Sequence, residues 1–124
     1  MPSLILVMLG GALGAGARHL TGRATLALFG PALPWGTLAV NLIGGLAMGL
    51  LAGWLGRAAA AETWRLFLGV GVLGGFTTFS AFSLDVVMLA ERGQAGAAIG
   101  YALVSVTGSI AALAAGLAMT RSWA

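Results

Sequence analysis

The sequence predicts an all-α membrane protein: one domain, residues 1–124, of four transmembrane helices with a break in the third, assembled as an antiparallel homodimer. Three observations predict this. The composition is 60% hydrophobic and only 7% charged, with a mean hydropathy of +1.03. A soluble domain carries about a quarter charged residues, so lipid is the solvent here. Four apolar stretches each supply the roughly 20 residues that a spanning helix needs. The third stretch is interrupted in its middle by Gly74-Gly75-Phe76-Thr77-Thr78-Phe79-Ser80-Ala81-Phe82-Ser83.

The first span is expected at Ser3 to Leu20. Its N-terminus, Met1-Pro2-Ser3-Leu4, lacks the basic segment of a signal peptide, and the apolar run has no clear cleavage site, so it reads as a retained helix. Gly22, Arg23, Gly30, Pro31 and Pro34 mark the first connection as turn and breaker residues. The second span is expected at Trp35 to Gly56. Within it Gly45, Gly49 and Gly53 recur every four residues, a seam for close helix packing. Arg57, Glu62 and Arg65 follow in the second connection. The third span is expected at Trp64 to Leu89, about 37 Å if continuous; a break near Gly74–Ser80 shortens it. A tight Glu91-Arg92-Gly93-Gln94 turn leads to the fourth span, Gln94 to Thr120. Trp35, Trp54, Trp64 and Trp123 fall near the predicted ends, where indole rings sit at headgroup level. Four helices nearly exhaust the chain.

The sequence contains 21 Gly, tolerable in membrane helices because small residues let backbones approach. The pI of about 11.3 comes from six Arg, without Lys, against three acids. The arginines are scattered singly, which argues against nucleic-acid binding, and the absence of Cys excludes disulfide and thiol chemistry. Orientation follows the Lys/Arg balance of the connections. Arg57, Arg65 and Arg121 fall on one side, Arg18, Arg23 and Arg92 on the other. That tie either arises by chance, since six charges split evenly fairly often, or predicts insertion in both orientations, from which antiparallel pairing follows naturally.

Non-helical backbone is tolerated at membrane depth only where protein or a water-filled cavity satisfies it, so the third-span interruption marks an ion or substrate site. Phe79 and Phe82, three apart, share a helix face; they are either packing aromatics or ring edges against which an anion rests. Thr78, Ser80 and Ser83 flank them with hydroxyls. An unwound turn frees carbonyls at Gly74 and Thr77, and carbonyls bind hard cations such as Na⁺; two antiparallel copies would double the ligands. Asn41, mid-span and four residues after Thr37, needs either an interhelical partner or a pore. Tyr101, Ser105 and Ser109 form a hydroxyl stripe, either packed and self-bonded or lining an ion path. Asp85 is an acid costly at its depth, expected to reach the interface or pair with Arg. Arg18 is by default a snorkelling anchor and alternatively attracts anions to a vestibule; His19 is a headgroup-level bystander. Gly69-x-Gly71-x-x-Gly74 matches a dinucleotide fingerprint only as a string, with no strand before it. No Ser-His-Asp set, metal cluster or carboxylate pair is present, so an enzyme is not expected.

These residues together resemble the small fluoride channels of the Fluc or CrcB family. The resemblance covers most of the chain. It runs through Gly11-Ala12-Leu13-Gly14-Ala15-Gly16-Ala17-Arg18, through Gly36-Thr37-Leu38-Ala39-Val40-Asn41-Leu42-Ile43-Gly44 and, most specifically, through Gly74 to Ser83. It implies a passive channel exporting fluoride from the cytoplasm across a prokaryotic inner membrane, as a multi-pass, dual-topology dimer with two pores. It implies that Phe79 and Phe82 are the pore phenylalanines, that Asn41 is the pore asparagine, and that Tyr101, Ser105 and Ser109 are the polar track. It implies that the carbonyls of Gly74 and Thr77 hold a structural Na⁺ at the dimer centre. Asp85 stands where the family usually has Glu, and Ala81 where it often has Thr. The rival readings are a small dual-topology multidrug/proton antiporter, which needs an ionisable acid that the first span lacks, and a structural membrane protein held by its glycine seams.

Overall fold

The computed structural model describes residues 2–57, 59 and 61–122. Four helices long and apolar enough to cross a membrane run through it. The first, α1 (Pro2–Phe29), is nine residues longer at its C-terminal end than the sequence signals suggest. Gly22 and Arg23 therefore lie on the helix, and the turn is confined to residues 30–34, where Gly30 takes φ +78°. A glycine inside an apolar run does not end a membrane helix, because lipid offers the freed backbone no alternative partner. α2 (Trp35–Leu55) and α5 (Ala95–Ser122) match the expected spans within two residues.

The third span is two half-helices. The first, α3 (residues 61–76), begins as Ala61–Trp64, widens to π geometry over Arg65–Leu73 and finishes as Gly74–Phe76. The Gly74 amide donates to the Gly69 carbonyl, the i→i+5 bond of that wider coil. The second is α4 (Phe79–Glu91). Between them Thr77 and Thr78 are extended, with ψ of 159° and 122°. The break falls within the predicted window and near the middle of the span from Ala61 to Glu91, hence near mid-membrane.

The connection from α4 to α5 is as tight as expected. Gly93, at φ +78°, donates to the Ala90 carbonyl (3.1 Å) and Gln94 to the Leu89 carbonyl (2.9 Å), a Schellman ending that glycine accommodates without Cβ strain. Trp54 and Trp64 meet edge-on, 6.0 Å between ring centroids, where α2 ends and α3 begins. Trp123 lies outside the described residues.

Two helix pairs build the bundle, α2 against α5 and α1 against α3. The α2–α5 seam is the glycine seam predicted at four-residue spacing. A Cβ on Gly45 would stand 2.8 Å from the Ser109 carbonyl, and one on Gly49 would collide with the Leu113 carbonyl. On α1, a Cβ on Gly14 would strike the Val72 carbonyl of α3. A smaller core of Phe82, Leu89, Ala98 and Tyr101 joins α4 to α5.

Overpacking a tight contact costs ~1–3 kcal/mol. Gly49→Ala should therefore lower the thermal stability of the detergent-solubilised protein clearly. Gly96→Ala, where nothing lies within 4 Å of the added carbon, should leave it unchanged. Equal melting temperatures for the two variants would refute the seam.

Candidate ion-conduction site

The break is held open by hydrogen bonds from neighbouring helices. In a continuous helix the Thr78 amide would bond the Gly74 carbonyl. Here it donates instead to Asn41 Oδ1 (2.9 Å), while Asn41 Nδ2 donates to the Thr78 carbonyl (3.0 Å). One end of the side-chain amide thus replaces the lost helical partner of the Thr78 N–H, and the other adds a second bond to the Thr78 carbonyl, which as the N-cap carbonyl already accepts the first bond of α4. The Ala81 amide, which would bond the Thr77 carbonyl, turns to Thr78 Oγ1 (3.1 Å), making Thr78 the N-cap of α4. Thr77 Oγ1 bonds back to the Leu73 carbonyl (2.8 Å). From α1, Arg18 Nε donates to the Gly75 carbonyl (3.0 Å). The carbonyls of Gly74 and Thr77 are thereby deprived of their helical donors, and these are the two that the sequence singles out for a cation.

Arg18 is therefore not a snorkelling end anchor: α1 runs on to Phe29, and its guanidinium is spent in part on the break. It also borders a cleft of about 300 Å³ together with His19, Arg23, Thr37 and Thr78. With Arg18 turned to mid-depth, the end arginines stand at three (Arg57, Arg65, Arg121) against two (Arg23, Arg92), still close to balance.

A second cleft, of about 390 Å³, lies between α2, α4 and α5. Asn41, Thr78, Phe79, Phe82, Ser105 and Ser109 border it. Six of the eight residues predicted to line a pore thus converge on one cleft that no charged side chain borders. The Phe79 and Phe82 rings are 5.5 Å apart at 51°, and Phe82 lies 5.3 Å from the Tyr101 ring. Phe82 is buried, whereas Phe79 is 76% exposed and projects away from its own bundle. Ser105 is 5% exposed, and its hydroxyl has no hydrogen-bond partner.

The other two predicted residues are elsewhere. Ser80 is exposed at the cleft's edge, 3.3 Å from Thr78 Oγ1. Tyr101 is buried beneath Phe82, and its hydroxyl donates to Asp85 Oδ2 at 3.1 Å. Asp85 thus accepts from a tyrosine and, among the described residues, forms no ion pair with arginine; of the two expectations the structure favours the interface, since Asp85 borders a cleft at the α1–α2 turn. Ser83 bonds its own helix at the Phe79 carbonyl (2.9 Å). Two contributors escaped sequence reasoning. Met48 borders the cleft, and Gly44 packs so closely on the Thr77 methyl that a side chain there would displace the break. The Gly44-Gly45 pair, one turn beyond Asn41, was the available signal.

A four-span membrane protein with a broken third span and an uncharged, hydroxyl-bearing aromatic cleft is the class that these features define. The profile of the CrcB-like protein, Camphor Resistance (CrcB) family matches residues 5–117. Among curated relatives, the fluoride-specific ion channel FluC of Sphingopyxis alaskensis is 57% identical over 122 residues, 98% of this chain and 97% of that one. That of Mesorhizobium japonicum is 53% identical over 122 residues, 98% of each chain. That of a Chelativorans species is 58% identical over 123 residues, again 98% of each. The chain belongs to the CrcB family.

Leaving a buried donor unpaired costs ~1–3 kcal/mol. Asn41→Ala strands the Thr78 amide, so amide hydrogen exchange at residues 77–81 should accelerate by about fivefold or more at that cost. Exchange unchanged from the parent protein would show that the Asn41 clamp does not hold the break.

Proposed function

We propose that the chain is a passive fluoride channel of a prokaryotic inner membrane, working as an antiparallel dual-topology homodimer with two pores. The observation that carries the reading is the uncharged cleft in which Asn41, Thr78, Ser105 and Ser109 meet the Phe79–Phe82 ring pair. Fluoride is small and strongly hydrated, and a corridor must replace its water without trapping it. Hydroxyls of Thr78, Ser105 and Ser109 donate hydrogen bonds, and the positive ring edges of Phe79 and Phe82 supply weak, diffuse attraction. A guanidinium in that place would bind too tightly for release. Arg18, one helix away, concentrates anions at the vestibule while remaining tethered to the Gly75 carbonyl. Export needs no ATP: a negative-inside potential drives each anion outward with ~2.3 kcal/mol per 100 mV.

The dimer follows from the half-finished state of one chain. Phe79 leaves its own bundle at mid-depth, so a second copy inverted about the break brings its Phe79 to the first copy's Phe82. That arrangement gives two aromatic pairs and two pores. The near-balance of end arginines favours insertion both ways up. The Gly74 and Thr77 carbonyls of both copies then face one another, an oxygen set suited to Na⁺. A sodium ion bound there would supply the fixed positive charge that holds two breaks together. The antiporter reading lacks its proton-exchanging acid: α1 carries no Asp or Glu.

An aromatic contact is worth ~0.5–1.5 kcal/mol, so Phe79→Ile or Phe82→Ile should each slow fluoride efflux from proteoliposomes by ~3–10-fold. Chloride efflux should stay at background, and dimers should still form. Unchanged fluoride efflux with both substitutions present refutes the aromatic role. Exchanging Na⁺ for an organic cation such as N-methylglucamine throughout purification should lower the dimer's melting temperature. A melting temperature insensitive to that exchange removes the sodium from the proposal.

A further inference from the structure

Outside the conduction cleft, a groove of about 400 Å³ opens between α2, α3 and the end of α5. Its length is walled by aliphatic side chains, among them Ala47, Leu50, Leu68 and Leu73. Polar character is confined to one end, where Trp54, Arg57 and Thr120 border it. Arg57 follows directly after the last turn of α2. From Ala47 to Arg57 is ten residues, roughly 15 Å of helix. That equals half of the ~30 Å hydrocarbon core, the depth of a single leaflet. Leu73, at the deep end, adjoins the mid-membrane break, and the Trp54–Trp64 pair stands at the shallow end, where indoles favour the headgroup region.

Arg57 is held in place without being consumed. Its Nη2 donates to the Thr120 carbonyl at 2.7 Å, which uses one of five N–H donors. Among the described residues no carboxylate pairs with it; the ion pair at this end of the bundle joins Arg65 to Glu62, at 2.9 Å. A guanidinium fork pre-positioned at headgroup level matches a phosphodiester bidentately.

We propose that this groove binds one anionic phospholipid, its acyl chain lying along α2 and α3 and its phosphate on Arg57. The walls alone give no selectivity, because lipid tails are as apolar as leucine. Preference for an anionic lipid therefore resides at Arg57, and one arginine near the surface favours such lipids by about fivefold. Lipid is a better occupant than a second copy of the chain, since a packed helix would have to bury the guanidinium with its remaining donors unmet.

Trp54 borders the groove and reports on it. The full chain with Trp35→Phe, Trp64→Phe and Trp123→Phe leaves Trp54 as the sole indole. It is reconstituted in phosphatidylcholine vesicles containing rising fractions of phosphatidylglycerol brominated on the acyl chain, and in the reverse pair with brominated phosphatidylcholine. Quenching should show phosphatidylglycerol favoured over phosphatidylcholine about fivefold. Arg57→Gln should bring that ratio close to one, Arg57→Lys should keep part of it, and Arg121→Gln should retain it. Equal quenching by the two lipids with Arg57 intact overturns the proposal by itself, whether or not the variants fold. So does a preference that survives Arg57→Gln. Quenching by neither lipid, with Leu68→Cys forming a disulfide between copies, would assign the groove to a protein contact and overturn it as well.

Discussion

The pair of hydrogen bonds between Asn41 and the backbone N–H and C=O of Thr78 is the constraint on which the site depends. A spanning helix is stable in lipid because every peptide group bonds within it. Opening one turn frees amides and carbonyls where water cannot reach, at a cost of several kcal/mol for each group left bare. Asn41 is suited to the repair because its amide donates and accepts at once, as a peptide does. Thr78 completes the repair from the other side by capping the Ala81 amide. Arg18 braces the preceding half-helix through Gly75. The break is therefore fixed from both flanks, which lets it serve as a site instead of a hinge.

Fixing the break also aims the rings. The extended Thr77-Thr78 peptide redirects α4 relative to α3, so Phe82 turns inward onto Tyr101 while Phe79 turns outward. Glycines make this affordable in space: Gly44 accepts the Thr77 methyl, and Gly49 and Gly14 let α5 and α3 close up around the repair. The seam and the site are one construction. A bulky residue at Gly44 would reach the same peptide that Asn41 holds.

Much of this was legible in the sequence, because it rests on local rules. Four-residue spacing placed Gly45, Gly49 and Gly53 on one seam, and Gly-Gly-x-Thr-Thr located the break to within its window. Helix periodicity paired Phe79 with Phe82 and, separately, Ser105 with Ser109; only the family resemblance brought the two sets to one site. What escaped depends on how helices cross. Nothing in its neighbours indicates that Arg18 bonds Gly75, since that contact spans 57 positions. Tyr101 shares the spacing of Ser105, yet its long side chain carries its hydroxyl past the cleft to Asp85. The end of α1 was misjudged because glycine weakens helices in water, and in a bilayer that competition is absent.

A single chain carries two features that the proposed inverted dimer and its ion would answer separately. It buries a hydroxyl at Ser105 with nothing to bond and exposes a phenylalanine at Phe79 with nothing to cover it, both on the same cleft. Folding normally removes such features, because orphaned buried polar groups and bare aromatics each cost free energy. Lipid lessens the second cost and does nothing for the first. Filling the cleft with larger side chains would remove both, and would also close the path. On the proposed function a free donor there has a use, since a hydroxyl already donating within the protein has no hydrogen bond to lend an anion. The same reasoning accounts for Asp85, whose charge would repel that anion if it pointed into the cleft. Tyr101 bonds the carboxylate on a separate cleft that Arg92 and the α1–α2 turn also border, so the lining between Phe79 and Ser109 carries no charge while the acid stays bonded.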